Sequence, residues 1–151
     1  MKILLATDGS KQSDAAIAIL RSFSFKPGDE IKIISVVDMA VPMAVDIYGG
    51  YLPDTTDLET TAREHAAKVL SETCEKLEGI CRDMNVTSEV LFGSPESRIV
   101  ETAEENEFDL IIVGSHGYSR WERLLLGSVS QSVVHHAPCS VLVVRTPAED
   151  Q

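Results

Sequence analysis

The chain has 151 residues, of which 44% are apolar and 25% charged, a balance typical of one globular domain with a substantial core. Its formal net charge of −11 argues against general nucleic-acid binding and against attachment to anionic membranes, because both favour a basic surface. No apolar run approaches the ~18 residues of a membrane span, and the apolar start is too short for a signal peptide, so we expect a cytoplasmic protein. Three cysteines without a CxxC pair argue against a disulfide framework or a zinc site.

Strand-like and helix-like patterns alternate along the chain. Five short apolar runs predict buried strands: residues 2–7, 30–38, 86–92, 108–113 and 139–146. Helical patterns fill four of the remaining intervals: residues 10–23, 55–84, 96–107 and 128–137. The alternation predicts an α/β fold, a doubly wound parallel sheet of five strands with helices on both faces. We assign residues 1–146 to a single domain and residues 147–151 to a polar C-terminal tail.

The middle of the chain combines a long helix with a long loop. The apolar face of the helix predicted over 55–84 recurs every three to five residues: Leu58, Ala62, Ala66, Val69, Cys74, Leu77, Cys81 and Met84. Gly79 disfavours the helix by about 1 kcal/mol relative to alanine, which allows a break there. Before the next helix, Ser94 is the candidate N-cap and Pro95 the first helical residue. Residues 39–54 contain two prolines and two adjacent glycines and predict a long loop, a kind that often has a function.

The strand order decides where a ligand would bind. Open parallel sheets bind ligands beyond the carboxyl ends of their strands, where the order reverses. Order 2-1-3-4-5 places that crevice between strands 1 and 3, and order 3-2-1-4-5 places it between strands 1 and 4. The segment after strand 4, Gly114–Ser130, holds three of the chain's nine glycines, so we favour 3-2-1-4-5. This order brings residues 6–10 beside Gly114 and Gly117.

The glycine-rich segment after strand 4 has features that suit an anion. Gly114 and Gly117 let the chain turn sharply and leave no side chain to block a phosphate, although a tight turn alone also explains them. Gly127 and Ser128 begin the fourth predicted helix, whose first amides are unpaired and whose dipole is positive there. Ser128 can cap that helix or donate its hydroxyl to a phosphate oxygen. Three nearby side chains can add positive charge: His116, Arg120 and Arg123.

Better-known catalytic and phosphate motifs are absent from the sequence. It contains no P-loop, no GxGxxG, no GxSxG and no HExxH. His135 and His136 are adjacent and would point in different directions on a helix, so we interpret them as a packed or capping pair rather than metal ligands. His116 is the one nearby candidate for a base that activates water. We therefore assign no catalytic residues, and the sequence identifies no metal ligands.

The spacing of the glycines resembles that of a known family. Gly114, two residues, Gly117, nine residues and then Gly127-Ser128 match the G-2x-G-9x-G(S/T) motif of the ATP-binding universal stress proteins. The flanking blocks DLIIVGSHG and LLLGSVSQSVVHHAPCSVLVV and the N-terminal ILLATDGS also resemble the family, so the likeness covers essentially the whole chain. A branch of the family lacks the motif and does not bind ATP. The family fold is a five-stranded parallel sheet in the order 3-2-1-4-5, which agrees with the crevice argument.

The resemblance implies an ATP site, with Mg²⁺ or Mn²⁺ bridging the phosphates. The positions that would bind the nucleotide are Ala6, Thr7, Asp8, Val36, Val113, Gly114, His116, Gly117, Gly127, Ser128 and Val129. Asp8 would bond the adenosine end or help hold the metal–phosphate region, and Val36 would contact adenine. Amides near Gly127 and the Ser128 hydroxyl would hold the triphosphate. Purely structural roles also fit: Val36 and Val113 as core residues, Asp8 as a cap of the first helix, Ser128 as an N-cap.

Together these inferences predict an ATP-binding regulator of a stress response or of signalling, with at most slow ATP hydrolysis; another adenine nucleotide could replace ATP. Two alternatives stay open: a protein-interaction module with a vestigial site, and a related ATP pyrophosphatase or nucleotidyl transferase. The resemblance implies a homodimer through strand residues 139–144, which is consistent with an apolar edge strand that needs cover. We also expect residues 39–54 to order over the ligand, whereas residues 118–126 have no assigned role.

Overall fold

Strands and helices alternate in the structure as the sequence pattern predicts. The computed structural model describes residues 1–38, 55–81, 84–115 and 126–145, so the predicted loop 39–54 and the positions His116, Gly117, Arg120 and Arg123 lie outside the described residues. The strands are β1 (Lys2–Ala6), β2 (Glu30–Val37), β3 (Asn85–Phe92), β4 (Leu110–Gly114) and β5 (Ser140–Val144). The α-helices of the described ranges are α1 (Lys11–Ile19), α2 (Thr55–Glu78), α3 (Pro95–Glu105) and α4 (Ser128–His136).

The five strands form one sheet in the order β3-β2-β1-β4-β5, which confirms the predicted topology. Every pairing is parallel. Strand β1 pairs with β2 on one side, where Ile3 lies opposite Ile31, and with β4 on the other, where Ile3 lies opposite Leu110. The order of the strands therefore reverses at β1, and the carboxyl ends of β1 and β4 lie side by side.

Helices cover both faces of the sheet, as predicted. Successive side chains of a strand point to opposite faces, so Ile3 and Leu5 of β1 pack on one side and Leu4 on the other. The first side is covered by α1 and α2, the second by α3 and α4. Ile3, Leu4 and Leu5 have no exposed surface, which places β1 at the centre of the core. Among the described residues, no helix is both long and apolar enough to cross a membrane.

Helix α2 is shorter than its sequence pattern predicts. It ends at Glu78, immediately before Gly79, rather than at Met84. The amides of Ile80 and Cys81 both donate to the carbonyl of Leu77 and close the last turn, at 2.8 and 2.9 Å. On the predicted apolar face, Leu58 is 44% exposed near the start of the helix, and burial begins further along. The buried members are Ala66, Val69, Leu77 and Cys81, and the half-buried ones are Ala62, Cys74 and Met84. Periodicity shows which side of a helix is apolar, but not how far along it the partner surface extends.

The start of α3 agrees with the sequence analysis in its residues. Ser94 is the N-cap and Pro95 the first helical residue. The Ser94 side chain makes no capping hydrogen bond to the helix. A hydrogen bond with Ser94 instead lowers the pKa of the Glu96 carboxyl in the first turn. The Ser94 hydroxyl is therefore hydrogen-bonded to the side chain of Glu96 and not to an amide of the helix.

The cysteines and the paired histidines occupy ordinary structural positions. All three cysteines are free; Cys81 is buried, and Cys74 and Cys139 are half-buried. Burial raises the pKa of the Cys81 thiol, which favours its neutral form. His135 and His136 are exposed in the last turn of α4, with their rings edge to face at 6.5 Å. Cys81 thus behaves as a core residue, and the two histidines lie at the helix end.

The packing of α2 on the sheet can be tested by substituting two leucines of this helix, one buried and one exposed. Leu77→Ala should lower the free energy of unfolding by about 2–5 kcal/mol, because it leaves a cavity where a fully buried side chain was. Leu58→Ala, at an exposed position of the same helix, should change it by less than about 0.5 kcal/mol. Urea unfolding followed by circular dichroism measures both values. Similar losses for the two variants would contradict this packing.

Candidate functional site

The loop between β1 and α1 is organised around the carboxylate of Asp8. The Ser13 hydroxyl donates to Asp8 Oδ1 at 2.8 Å, and the Ser10 amide donates to the same oxygen at 2.9 Å. The Asp8 amide in turn donates to Ser13 Oγ at 3.2 Å. Gly9 has φ of +78°, a left-handed conformation that favours glycine, and this lets the loop fold back on Asp8. The carboxylate of Asp8 is thus fixed through one oxygen.

The N-cap of α1 is Ser10, not Asp8. The Ser10 hydroxyl accepts a long hydrogen bond of 3.4 Å from the Ser13 amide inside the helix. Asp8 lies two residues earlier and accepts from the Ser10 amide before the helix begins. Asp8 therefore does not cap the helix. Within the described part of the chain, both donors to its carboxylate bond Oδ1, so Oδ2 can accept from another molecule.

The second loop of the site joins the end of β4 to the start of α4. Gly127 is the N-cap of α4, with φ −62° and ψ 157°, and Ser128 is the first helical residue. The interpretation of Ser128 as an N-cap is therefore wrong, because the cap is a glycine and no side chain fills that role. The Gly127 amide donates to the Ser115 carbonyl at 2.8 Å, directly after β4. The positive end of the α4 dipole thus lies next to the end of β4.

A cavity of about 160 Å³ opens at the carboxyl edge of the sheet, where the strand order reverses. Most of its surface is apolar, and its polar side is formed by Thr7, Asp8 and Ser13. Thr7 and Ser13 are themselves buried, at 6% and 3% exposure, whereas Asp8 is exposed at the mouth of the cavity. The described residues that line the cavity are Ala6, Thr7, Asp8, Ser13, Ile34, Val36, Pro95, Ile99, Val113, Gly114 and Val129.

The structure brings together most of the site residues that the sequence nominates. Seven of them line the cavity: Ala6, Thr7, Asp8, Val36, Val113, Gly114 and Val129. Gly127 and Ser128 do not line it but precede Val129 directly at the start of α4. His116 and Gly117 lie outside the described residues. Residues from β1, β2, β4 and α4 thus meet in one place, although they are far apart in the sequence.

Four lining residues were not anticipated: Ser13, Ile34, Pro95 and Ile99. Three of them carry a pattern that could have revealed them. Ile34 lies two residues before Val36 on β2, hence on the same face of the sheet. Pro95 and Ile99 are four residues apart and share one face of α3. Ser13 gives no such signal, because its role depends on its contact with Asp8.

The charge of the cavity differs from that of the whole chain. The chain carries −11, yet among the described lining residues Asp8 is the one ionisable side chain. The adjoining start of α4 offers amide hydrogens and the positive end of a dipole. Within the described residues, no group of three histidines, cysteines or carboxylates is arranged to hold a metal ion.

Solved structures share this fold over nearly the whole chain. The structure of the protein MJ0577 superposes with a TM-score of 0.83 at 27% identity, covering 98% of this chain and 97% of that one. A universal stress protein solved with cAMP has a TM-score of 0.62 at 20% identity, covering 97% and 98%. An Arabidopsis thaliana family member solved with AMP bound has a TM-score of 0.67 at 17% identity, covering 99% and 94%. The last two likenesses establish the fold alone.

Sequence comparison gives the relationship directly. The sequence profile of the universal stress protein family matches residues 1–145. A Staphylococcus aureus (strain USA300) protein whose name places it among the universal stress proteins is 33% identical over 153 residues, covering 99% of this chain and 88% of the relative. The profile match, this relative and the shared strand order agree with one another. The chain belongs to the universal stress protein family.

Proposed function

We propose that the chain binds ATP, or another adenine nucleotide, in this cavity and acts as a nucleotide-dependent regulator of a stress response or of signalling. The observation that carries the proposal is the meeting of three features. They are an apolar cavity, the fixed carboxylate of Asp8 at its polar side, and the start of α4, which no side chain caps. Each matches the chemistry of one part of a nucleotide.

The cavity suits the base and the ribose. Val36, Val113 and Ile99 contribute apolar surface, which favours a flat aromatic ring over water. The volume enclosed by the described residues, about 160 Å³, is below the ~300–1,000 Å³ of complete ligand pockets, so it fits one part of a nucleotide. Asp8 Oδ2 is a strong acceptor for a ribose hydroxyl, because a charged acceptor makes a stronger hydrogen bond than a neutral one.

The start of α4 suits the phosphates. Its first amides have no side-chain cap, and its dipole attracts negative charge despite the acidic chain. The Ser128 hydroxyl is exposed there and can donate to a phosphate oxygen. Mg²⁺ or Mn²⁺ would be held through the phosphates, since Asp8 is the one carboxylate among the described lining residues. The cation would offset phosphate charge.

A slow or absent hydrolysis fits the described side chains of the cavity. Fast phosphoryl transfer needs cations on the terminal phosphate and a group that orients the nucleophile. The described lining residues include no lysine, arginine or histidine, and Asp8 Oδ1 already accepts two hydrogen bonds. Solved family members with AMP and with cAMP bound support the proposal that the ligand is an adenine nucleotide. We propose regulation by binding rather than turnover; His116, Arg120 and Arg123 lie outside the described residues.

The proposal includes a homodimer through the strand of residues 139–144. Among the described strands, β5 is an edge of the sheet, and one side of its backbone pairs with none of them. Val141, Leu142 and Val143 are only half-buried, although all are apolar. A second copy would cover this edge and satisfy its backbone groups. We further propose a single domain over residues 1–146 with a tail at 147–151, and a cytoplasmic location.

Binding of ATP should be measurable by isothermal titration of the purified protein. We expect a dissociation constant in the micromolar range or weaker, because the contacts come from amides, one hydroxyl and an apolar cavity. Turnover should stay well below about 1 s⁻¹, the low end for typical enzymes. Absence of any heat with ATP and Mg²⁺ up to millimolar concentration would overturn the proposal, and fast turnover would favour an enzyme.

The role of Ser128 can be separated from that of its helix. Ser128→Ala should weaken ATP binding about 10- to 100-fold, since a hydrogen bond to a charged group contributes about 1.5–3 kcal/mol. Binding of adenosine, which has no phosphate, should be unchanged. Ser132→Ala is the matched control on α4, because the Ser132 hydroxyl lies 3.4 Å from His136 Nδ1 instead. Unaltered ATP affinity in the Ser128 variant would remove this residue from the site.

The dimer can be tested with a lysine placed on either edge of the sheet. Val141→Lys on β5 should give a monomer in sedimentation velocity at micromolar concentration, because a buried charge disfavours strand pairing. Val86→Lys on β3, the opposite edge, is also at a half-buried valine and should leave the dimer intact. A monomeric wild type, or dissociation by the β3 variant instead, would contradict the assigned interface.

A further inference from the structure

We infer that Ser130 is a positioning residue of the nucleotide site: its hydroxyl holds the start of α4 against the end of β4 and so sets where the helix amides face the ligand. The inference rests on the proposed function and goes beyond the glycine motif, which ends at Gly127-Ser128. Ser130 lies in the first turn of α4 and is only 3% exposed, so its hydroxyl must find its partners inside the protein.

The hydroxyl of Ser130 lies between two carbonyl groups. Its oxygen is 2.9 Å from the carbonyl oxygen of Ser115 and 3.0 Å from that of Gly127. A serine hydroxyl has one hydrogen, so it divides that hydrogen between the two acceptors. One acceptor belongs to the end of the sheet and the other to the N-cap of the helix. A single side chain thus joins β4 to α4.

Ser115 is a firm anchor for this contact. Its amide donates to the carbonyl of Val144 on β5 at 2.8 Å, which extends the pairing beyond β4. Its carbonyl accepts both the Gly127 amide, at 2.8 Å, and the Ser130 hydroxyl. Ser115 is itself 4% exposed. The two ends of the segment between Ser115 and Gly127 are therefore held together at one carbonyl oxygen.

The contact between Ser130 and Ser115 can affect a bound ligand because residues next to both of them line the cavity. Gly114, before the anchor, and Val129, after the N-cap, both line the cavity. Gly127 has no side chain that could fix the helix start, and its carbonyl otherwise accepts from Gln131 within the helix. Without the Ser130 hydroxyl, a helix start held by the Gly127 amide alone can shift. A small shift weakens each amide contact to a phosphate, because hydrogen bonds lose strength steeply with poor geometry.

The first measurement needs no nucleotide. In Ser130→Ala, the Gly127 amide should exchange its hydrogen at least about tenfold faster than in wild type, because the opening of its bond to Ser115 becomes easier. Ser132→Ala, the same substitution two residues along α4, should leave this rate unchanged. Ser130→Thr keeps the hydroxyl and should keep the slow rate. NMR-detected exchange on the folded protein measures all four, and Ser130→Cys, a weak donor of similar size, replaces the alanine variant if that one does not fold.

The second measurement separates positioning from general stability. Titration with ATP and with adenosine gives the ratio of the two affinities, and Ser130→Ala should lower that ratio about tenfold while adenosine affinity stays within about twofold. Ser132→Ala and Ser130→Thr should keep the wild-type ratio. Faster exchange at Gly127 together with a lower ratio supports the inference.

Three results would overturn it. The first is an unchanged exchange rate at Gly127 in Ser130→Ala. The second is an equal loss of affinity for ATP and adenosine, which marks Ser130 as merely structural. The third is a wild type that binds neither compound, which defeats the proposed function as well. The first two can occur in a protein that binds ATP, so failure of this inference is distinguishable from failure of the proposed function.

Discussion

The structure depends on one arrangement: β1 pairs in parallel with β2 on one side and with β4 on the other. Since β1 has no exposed surface at Ile3, Leu4 and Leu5, it is both the centre of the core and the point of reversal. The loops that follow β1 and β4 then leave the sheet at the same edge but lead to helices on opposite faces, α1 on one and α4 on the other. The cavity between them is a consequence of this pairing and needs no special sequence of its own.

In the proposed function, local geometry and not net charge attracts a nucleotide to this edge of the sheet. The chain is acidic overall, but charges on the far surface are screened over about 10 Å at ordinary ionic strength. Among the described residues at the cavity, the Asp8 carboxylate and the amide end of α4 supply the local charge and dipole. The two loops are held in different ways. In the first loop, the Asp8 carboxylate accepts from the Ser13 hydroxyl and the Ser10 amide. In the second, the backbone carbonyl of Ser115 accepts from the Gly127 amide and the Ser130 hydroxyl.

Patterns of apolar residues along the sequence predicted most of the strands and helices correctly. Short apolar runs located every strand to within about two residues, and helical periodicity located α2, because burial on a sheet requires those patterns. The apolar pattern continues to Met84, whereas α2 ends at Glu78, at the break that Gly79 allows, because an apolar residue can follow a helix without belonging to it. Cys81 illustrates the point: it lies beyond Glu78 and is still buried in the core.

The sequence alone favoured one of two strand orders, through the glycine-rich segment after β4 and the family resemblance that its glycine spacing carries, and it nominated seven of the residues that line the cavity. Only the tertiary structure decided which polar groups meet. Ser13 reaches Asp8, Ser130 reaches Ser115, and Ile99 joins the wall from another helix. These contacts join residues whose distance in space is set by how helices pack on the sheet. The spacing of residues in the sequence reflects the geometry of a single helix or strand. A contact between two elements depends on how both of them pack, which that spacing does not specify.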